Sequence, residues 1–75
     1  MKFLLHKTSP EAGHETLVIE DSVELESQLD FSRFLVSAGG TQVRNMAELM
    51  AITEEYRVMG KAEIEIYALP PMVGG

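Results

Sequence analysis

The chain has 75 residues and no cysteine, and its twelve carboxylates against six basic side chains give a net charge of −6. The length predicts a single domain, and the missing cysteine excludes disulfides and thiolate chemistry and favours a reducing, cytoplasmic setting. The scattered basic residues argue against nucleic acid and against an anionic membrane surface as partners, and no apolar run approaches the roughly 20 residues that cross a bilayer.

The first two predicted elements are strands that form a hairpin. Met1 to Lys7 contains a short apolar run, and Glu15 to Glu20 contains β-branched residues, both typical of strands. The Pro- and Gly-containing segment Thr8 to Gly13 predicts the turn between them. His6 and His14 could meet across this hairpin, but two histidines without a third ligand make a poor metal site, so we expect them to be surface or loop residues.

The middle of the chain predicts a short helix and a third strand. Asp21 can cap a helix, with Glu24 three residues later as in a capping box. Phe31 to Ala38 has the composition of a strand, which Gly39-Gly40 ends with a tight turn, and Thr41 to Arg44 continues as a short strand.

An acidic cluster surrounds the start of this short helix. It is interpreted as helix capping and a solvated face, and alternatively as a docking face for a basic partner. The four residues are Glu20, Asp21, Glu24 and Glu26.

The C-terminal half predicts the better helix and the last strand. Asn45 and Glu48 form a second capping-box pattern, and Gly60 is a good helix stop. Ala62 to Ala68 alternates apolar and polar residues, as a half-buried strand does. The apolar face predicted for the helix consists of Met46, Leu49, Met50, Thr53 and Tyr56. Together these elements indicate an α+β layer architecture.

The last eleven residues carry the most specific pattern. After the last strand come Pro70-Pro71, the pair Met72-Val73 and then Gly74-Gly75. This ending resembles that of the molybdopterin-synthase small subunit, within the wider group of ubiquitin-like sulfur carriers and protein modifiers. Glycine lacks a Cβ and lets backbone approach an enzyme closely, while two prolines reduce the entropy lost when a tail is ordered.

The resemblance implies a β-grasp (ubiquitin-like) fold with a mixed sheet of four to five strands and one main helix on one face. It implies a domain over residues 1–69 and an extended, flexible tail over residues 70–75. An ATP-dependent activating enzyme would adenylate the Gly75 carboxylate, with Gly74 giving clearance and Pro70, Pro71, Met72 and Val73 presenting the tail. The adenylate would become a thiocarboxylate, or an amide with a target amine.

The resemblance also implies partners rather than catalysis by this chain. The expected partners are the adenylating enzyme, which uses ATP, and an acceptor enzyme such as a synthase large subunit. The chain itself is expected to bind no cofactor and no metal and to act as a carrier or non-catalytic subunit. The alternative is a small acidic interaction or assembly domain, of the kind that a phage or mobile element could encode, with an incidental Gly-Gly ending.

Overall fold

The computed structural model describes residues 1–9 and 13–70 of the chain. Within these residues it contains five strands and two helices. In chain order they are β1 (Lys2–Ser9), β2 (Gly13–Ile19), α1 (Ser22–Gln28), β3 (Leu35–Ala38), β4 (Thr41–Val43), α2 (Met46–Val58) and β5 (Glu63–Leu69). The predicted α+β class is therefore confirmed, and so is the mixed sheet, which contains one parallel and three antiparallel strand pairs.

The five strands form one sheet in the order β2-β1-β5-β3-β4. The first and last strands, β1 and β5, are neighbours and run parallel, whereas every other neighbouring pair is antiparallel. The predicted N-terminal hairpin is confirmed. It is longer than expected, because Thr8 and Gly13, which the sequence assigns to the turn, belong to the β1–β2 ladder: Thr8 pairs with His14 and Gly13 pairs with Ser9. The predicted turn residues Pro10 to Ala12 lie outside the described part of the chain.

One face of the sheet forms the core. The alternation predicted for the last strand is confirmed, since Ile64, Ile66 and Ala68 are buried while their neighbours along β5 are exposed. Phe3 lies opposite Ile64 and Leu5 opposite Ile66, so the apolar faces of β1 and β5 coincide. The buried core consists of Phe3, Leu5, Ile19, Leu25, Val36, Ala38, Val43, Leu49, Ile64, Ile66 and Ala68. Burying each large aliphatic side chain contributes about 1.5–3 kcal/mol.

Helix α2 covers the core through the predicted face. Leu49 and Thr53 are buried, and Met46, Met50 and Tyr56 are partly buried. Asn45 caps the helix, because its side-chain oxygen accepts a hydrogen bond from the Glu48 N–H at 2.9 Å. The Glu48 carboxylate in turn accepts from the Arg44 N–H at 2.6 Å, so the return bond falls one residue before the cap. The helix ends before Gly60, which has a φ of +81°.

Helix α1 is short, as predicted, and the strand predicted after it is partly wrong. Asp21 caps α1 by accepting from the Val23 N–H at 2.9 Å, and Leu25 is the residue that the helix buries. Residues 31–34 form a turn, and the strand begins only at Leu35. Asp30 is the cause: its carboxylate accepts from the Ser32 N–H and hydroxyl, and its carbonyl accepts from the Phe34 N–H.

The turn between β3 and β4 uses two glycines in left-handed conformations, as the Gly39-Gly40 pattern predicts. Their φ angles are +58° and +87°. Gly39 also lies against α2, because a Cβ built on it would fall 2.2 Å from the Tyr56 hydroxyl oxygen. That hydroxyl donates a hydrogen bond of 3.3 Å to the Gly39 carbonyl. The turn is therefore fixed to the helix as well as to the sheet.

Candidate functional site

The end of β5 lies in the interior of the sheet, between β1 and β3. Its last residue, Leu69, pairs with Leu35 of β3. Both leucines are apolar yet substantially exposed, at 44% and 49%. Pro70 follows directly and is exposed. The other predicted site residues of the tail, Pro71, Met72, Val73, Gly74 and Gly75, lie outside the described residues.

The side of the sheet away from the helices begins at these leucines and is called here the open face. The strand alternation directs to it Leu4 and His6 of β1, Val18 and Thr16 of β2, and Tyr67 of β5, in addition to Leu35 and Leu69. Neither helix covers it, because Leu25 and Leu49 both belong to the core cluster on the other face. Pro70, where the tail begins, therefore lies at the edge of a partly apolar surface.

Three aromatic rings stack across this face. The His6 ring lies between the other two, with centroid distances of 4.5 Å to Tyr67 and 5.6 Å to His14. The interplanar angles are 18° and 21°, so the rings are nearly parallel. They come from three adjacent strands, β5, β1 and β2, and the sheet register holds them together. This stack gives the open face an aromatic centre.

His6 is more enclosed than its prediction as a surface residue. Its side chain is only 15% exposed, because Tyr67 and His14 cover its two faces. Its Nδ1 lies 3.2 Å from the Thr16 hydroxyl, within hydrogen-bonding distance. Its Nε2 lies 3.4 Å from a Glu65 oxygen, but this buried nitrogen makes no acceptable hydrogen bond within the described residues. His14, which the sequence places in a loop, lies in β2 and is exposed, and it meets His6 across the hairpin, as the sequence allows.

The acidic cluster is exposed and lies beyond the open face, at the end of β2 and on α1. Glu20, Asp21, Glu24 and Glu26 are all solvent-exposed. Asp21 is used as the cap of α1, which confirms the capping interpretation for that residue. The described residues contain no group of three or more His, Asp or Glu side chains arranged to hold a metal ion.

Two other carboxylates have perturbed acidity. Hydrogen bonding from the Ser32 side chain lowers the pKa of Asp30. A two-bond ion pair with Arg57 on the surface of α2 lowers the pKa of Glu54 and raises the pKa of the Arg57 guanidinium. Both carboxylates lie at the surface, with 46% of the Asp30 side chain and 57% of the Glu54 side chain exposed, and both have structural partners. Neither therefore has the environment of a catalytic acid or base.

Part of the open face could be found in the sequence and part could not. The alternation in Ala62 to Ala68 already separates Tyr67 from the core residues. The stacking of His6 and Tyr67 depends on β1 and β5 being neighbours, which no local pattern reveals. The composition of Phe31 to Ala38 places Leu35 in the third strand but indicates no role for it, and its position next to Leu69 follows from the β3–β5 register.

The described chain is thus a small α+β protein with a mixed five-stranded sheet, two helices on one face and an open face beside the end of its last strand. Comparison with known protein families, with curated proteins and with solved structures finds no match to it. Neither helix in the described residues is long and apolar enough to span a membrane.

Proposed function

We propose that this chain is a β-grasp, ubiquitin-like carrier protein whose Gly75 carboxylate is activated by a partner enzyme. The observation that carries the proposal is the position of β5. The strand lies inside the sheet with a neighbour on each side and ends at Leu69, directly before Pro70. A tail that follows such a strand has a fixed origin, which lowers the cost of directing it into an enzyme channel.

The mixed sheet with two helices is compatible with a β-grasp fold. It differs from the usual sulfur carrier, in which the main helix directly follows the second strand and a Gly-Asp turn precedes the last one. Here that helix, α1, has seven residues, and the thirteen-residue α2 lies between β4 and β5. We therefore propose that the chain is a diverged member of the ubiquitin-like group.

The proposed chemistry uses the tail alone. The Gly75 carboxylate attacks the α-phosphorus of ATP in the activating enzyme, forming an acyl-adenylate and releasing pyrophosphate. A sulfur nucleophile at the oxidation level of hydrosulfide, supplied by a partner, then displaces AMP, and the product is a thiocarboxylate. If a lysine amine attacks instead, the product is an amide, with AMP and a proton released. Gly74 and Gly75 leave the attacked carbon unhindered.

The apolar open face supports a docking role in this function. Leu35, Leu69 and Tyr67 surround the origin of the tail, and exposed apolar and aromatic residues beside a reactive segment are suited to an enzyme surface. ATP is a substrate of the partner enzyme in this scheme, and the carrier itself needs no bound cofactor.

Intact mass spectrometry tests the proposal. The untagged protein is isolated from its host, and also incubated with ATP and candidate activating enzymes. A mass increase equal to exchange of one oxygen for sulfur, located at Gly75 and lost when Gly75 is deleted, is expected for a sulfur carrier. A conjugate between Gly75 and a lysine identifies a modifier. An unmodified chain in every condition, with biological function intact after removal of Gly74 and Gly75, would refute the carrier function.

A small interaction or assembly domain is the second candidate, and the same open face favours it. In that case the protein binds its partner through the surface around Tyr67, and the tail contributes nothing. A fusion to the C-terminus distinguishes the two functions: a carrier is inactivated by the blocked carboxylate, whereas an interaction domain keeps its activity.

A further inference from the structure

The outer edge of β2 has backbone hydrogen-bonding groups that no other strand in the described residues pairs with. The Lys2 N–H donates to the Ala62 carbonyl at 3.0 Å, so the backbone groups of Lys2 point toward β5. The direction of the backbone N–H and C=O groups alternates from residue to residue along a strand. The backbone groups of Leu4, His6 and Thr8 therefore also point toward β5, and those of Phe3, Leu5 and Lys7 point toward β2.

The antiparallel register then fixes which groups of β2 point outward. Ile19, Leu17 and Glu15 lie opposite Phe3, Leu5 and Lys7 and exchange hydrogen bonds with them. Val18, Thr16 and His14 lie opposite the residues that are directed to β5. The N–H and C=O groups of these three residues consequently face away from β1, and in the described part of the chain no other strand pairs with β2.

This edge has few of the features that protect edge strands from pairing. Over its seven residues β2 has no proline and no lysine, and its register with β1 runs without a bulge. His14, Thr16 and Val18 are all exposed, and Val18 is 62% exposed. Glu15 is the only charged residue inside the strand. Another extended segment can therefore reach the outward-facing groups.

The charge distribution specifies what kind of segment fits. Residues 8–32 contain seven of the twelve carboxylates and none of the six lysines and arginines, so the rest of the chain has five carboxylates against six basic residues. The negative charge thus belongs to the part that includes β2 and α1, where Glu15, Glu20 and Glu24 are exposed. Such a field favours an approaching cation and repels an anionic segment.

We propose that the outer edge of β2 binds an extended, lysine- or arginine-containing segment of a partner protein, which adds to the sheet as a sixth strand. Backbone hydrogen bonds to His14, Thr16 and Val18 hold the segment, and its cationic side chains meet the carboxylates around β2. Pairing between two copies of this chain is disfavoured, because it would bring two strongly acidic regions together. The proposal does not depend on the carrier function, because that function concerns the tail after β5, and β5 is separated from β2 by β1.

An end-blocked peptide of about nine residues that alternates valine and lysine is a suitable probe, since it can span β2. The full chain labelled with ¹⁵N is titrated with it, and with a peptide that has glutamate in place of lysine. The lysine peptide is expected to shift the amide signals of His14, Thr16 and Val18 and to slow their hydrogen exchange. The glutamate peptide is expected not to bind, and added salt is expected to weaken the lysine peptide.

Thr16→Pro is the decisive variant, because it removes an outward N–H and no backbone hydrogen bond to β1. It also removes the hydroxyl that lies 3.2 Å from His6 Nδ1, a loss that Thr16→Val reproduces on its own. We expect Thr16→Pro to weaken the lysine peptide by about tenfold or more. Thr16→Val, which keeps the N–H but loses the hydroxyl, should change the affinity by less than about threefold. Gln42→Pro is the matched control on the opposite edge strand, β4, and should leave binding unchanged. The double variant Glu15→Lys/Glu20→Lys keeps every backbone group and should weaken the peptide through charge alone.

Several outcomes would overturn the proposal. They are equal binding of the two peptides, equal binding to the Thr16→Pro and parent chains, signal shifts confined to the open face or to α2, and no binding at millimolar peptide. A protein that self-associates through β2 and resists competition by the lysine peptide would assign this edge to a second copy instead.

Discussion

The contact between Gly39 and Tyr56 predicts a specific cost for adding a single methyl group. Gly39→Ala places a Cβ where only glycine is easily accommodated, at a φ of +58°. A non-glycine residue in this region costs about 1–2 kcal/mol. The same Cβ would lie 2.2 Å from the Tyr56 hydroxyl oxygen and 2.6 Å from the ring carbon that bears it. The tyrosine must move, which removes its hydrogen bond to the Gly39 carbonyl, a further loss of about 0.5–1.5 kcal/mol.

Gly40→Ala is the matched control. Gly40 also has a positive φ, of +87°, but a Cβ there meets no atom within 4 Å. We expect Gly40→Ala to cost about 1–2 kcal/mol from backbone strain alone. Gly39→Ala should cost about 1 kcal/mol more than that, which lowers the melting temperature by about a further 4–8 °C in a domain of this size.

Urea unfolding followed by far-ultraviolet circular dichroism measures both variants. Tyr56→Phe completes the set, because it removes the hydrogen bond and the nearest clashing atom together. Gly39→Ala should therefore cost less in the Tyr56→Phe background than in the parent chain. Equal destabilisation by Gly39→Ala and Gly40→Ala, or an unchanged cost in the Tyr56→Phe background, would show that the turn does not depend on its contact with α2.

Three further predictions concern the core, the α2 cap and two surface carboxylates, and a fourth concerns the proposed role of Gly75. Leu49→Ala should destabilise the protein by about 2–5 kcal/mol in urea unfolding, since Leu49 is fully buried, and a loss below 1 kcal/mol would contradict its place in the core. Asn45→Ala should cost about 1 kcal/mol by removal of the α2 cap, and Asn45→Asp should restore most of it. The pKa values of Asp30 and Glu54 are lowered in the folded protein. Each carboxylate therefore stabilises the fold fully at a pH above the ordinary carboxyl pKa of about 4, and this stabilisation is lost as the pH falls toward the lowered pKa. Unfolding at a series of pH values should thus give a shallower acid dependence for Asp30→Asn/Glu54→Gln than for the parent, and identical profiles would oppose this. If the chain is the proposed carrier, deletion of Gly75 should abolish activation by the partner enzyme and leave the melting temperature unchanged, whereas a loss of stability would give the residue a structural role.

Local patterns predicted the elements whose signals lie within a few residues. Three such features depend only on a short segment of sequence, and each is found in the structure. They are the alternation in β5, the capping of α2 by Asn45 and the glycine turn after β3. The strand predicted from Phe31 failed for a local reason as well. The side chain and carbonyl of Asp30 accept hydrogen bonds from the backbone N–H groups that follow, and these bonds compete with a strand despite the strand-like composition of the segment.

The candidate site was less accessible from the sequence, because it depends on contacts between distant segments. The aromatic stack requires β1 to lie between β2 and β5, and the exposed pair Leu35 and Leu69 requires β3 to pair with β5. Nothing in the immediate neighbourhood of His6 indicates that Tyr67 will cover it. The role of the tail, in contrast, is predicted from the sequence alone, because residues 71–75 lie outside the described part of the chain.

The position of β5 has a consequence for how the protein is made. The N-terminal hairpin and the β3–β4 hairpin have no direct ladder between them, and β5 joins the two. The sheet therefore cannot close until the last strand has left the ribosome, and contacts so distant in sequence are slow to form. The tail follows β5 immediately, so a partner that recognises the completed sheet around Leu69 meets a tail whose domain has already folded. In the proposed carrier function, the order of the strands would thus ensure that only a folded domain is activated.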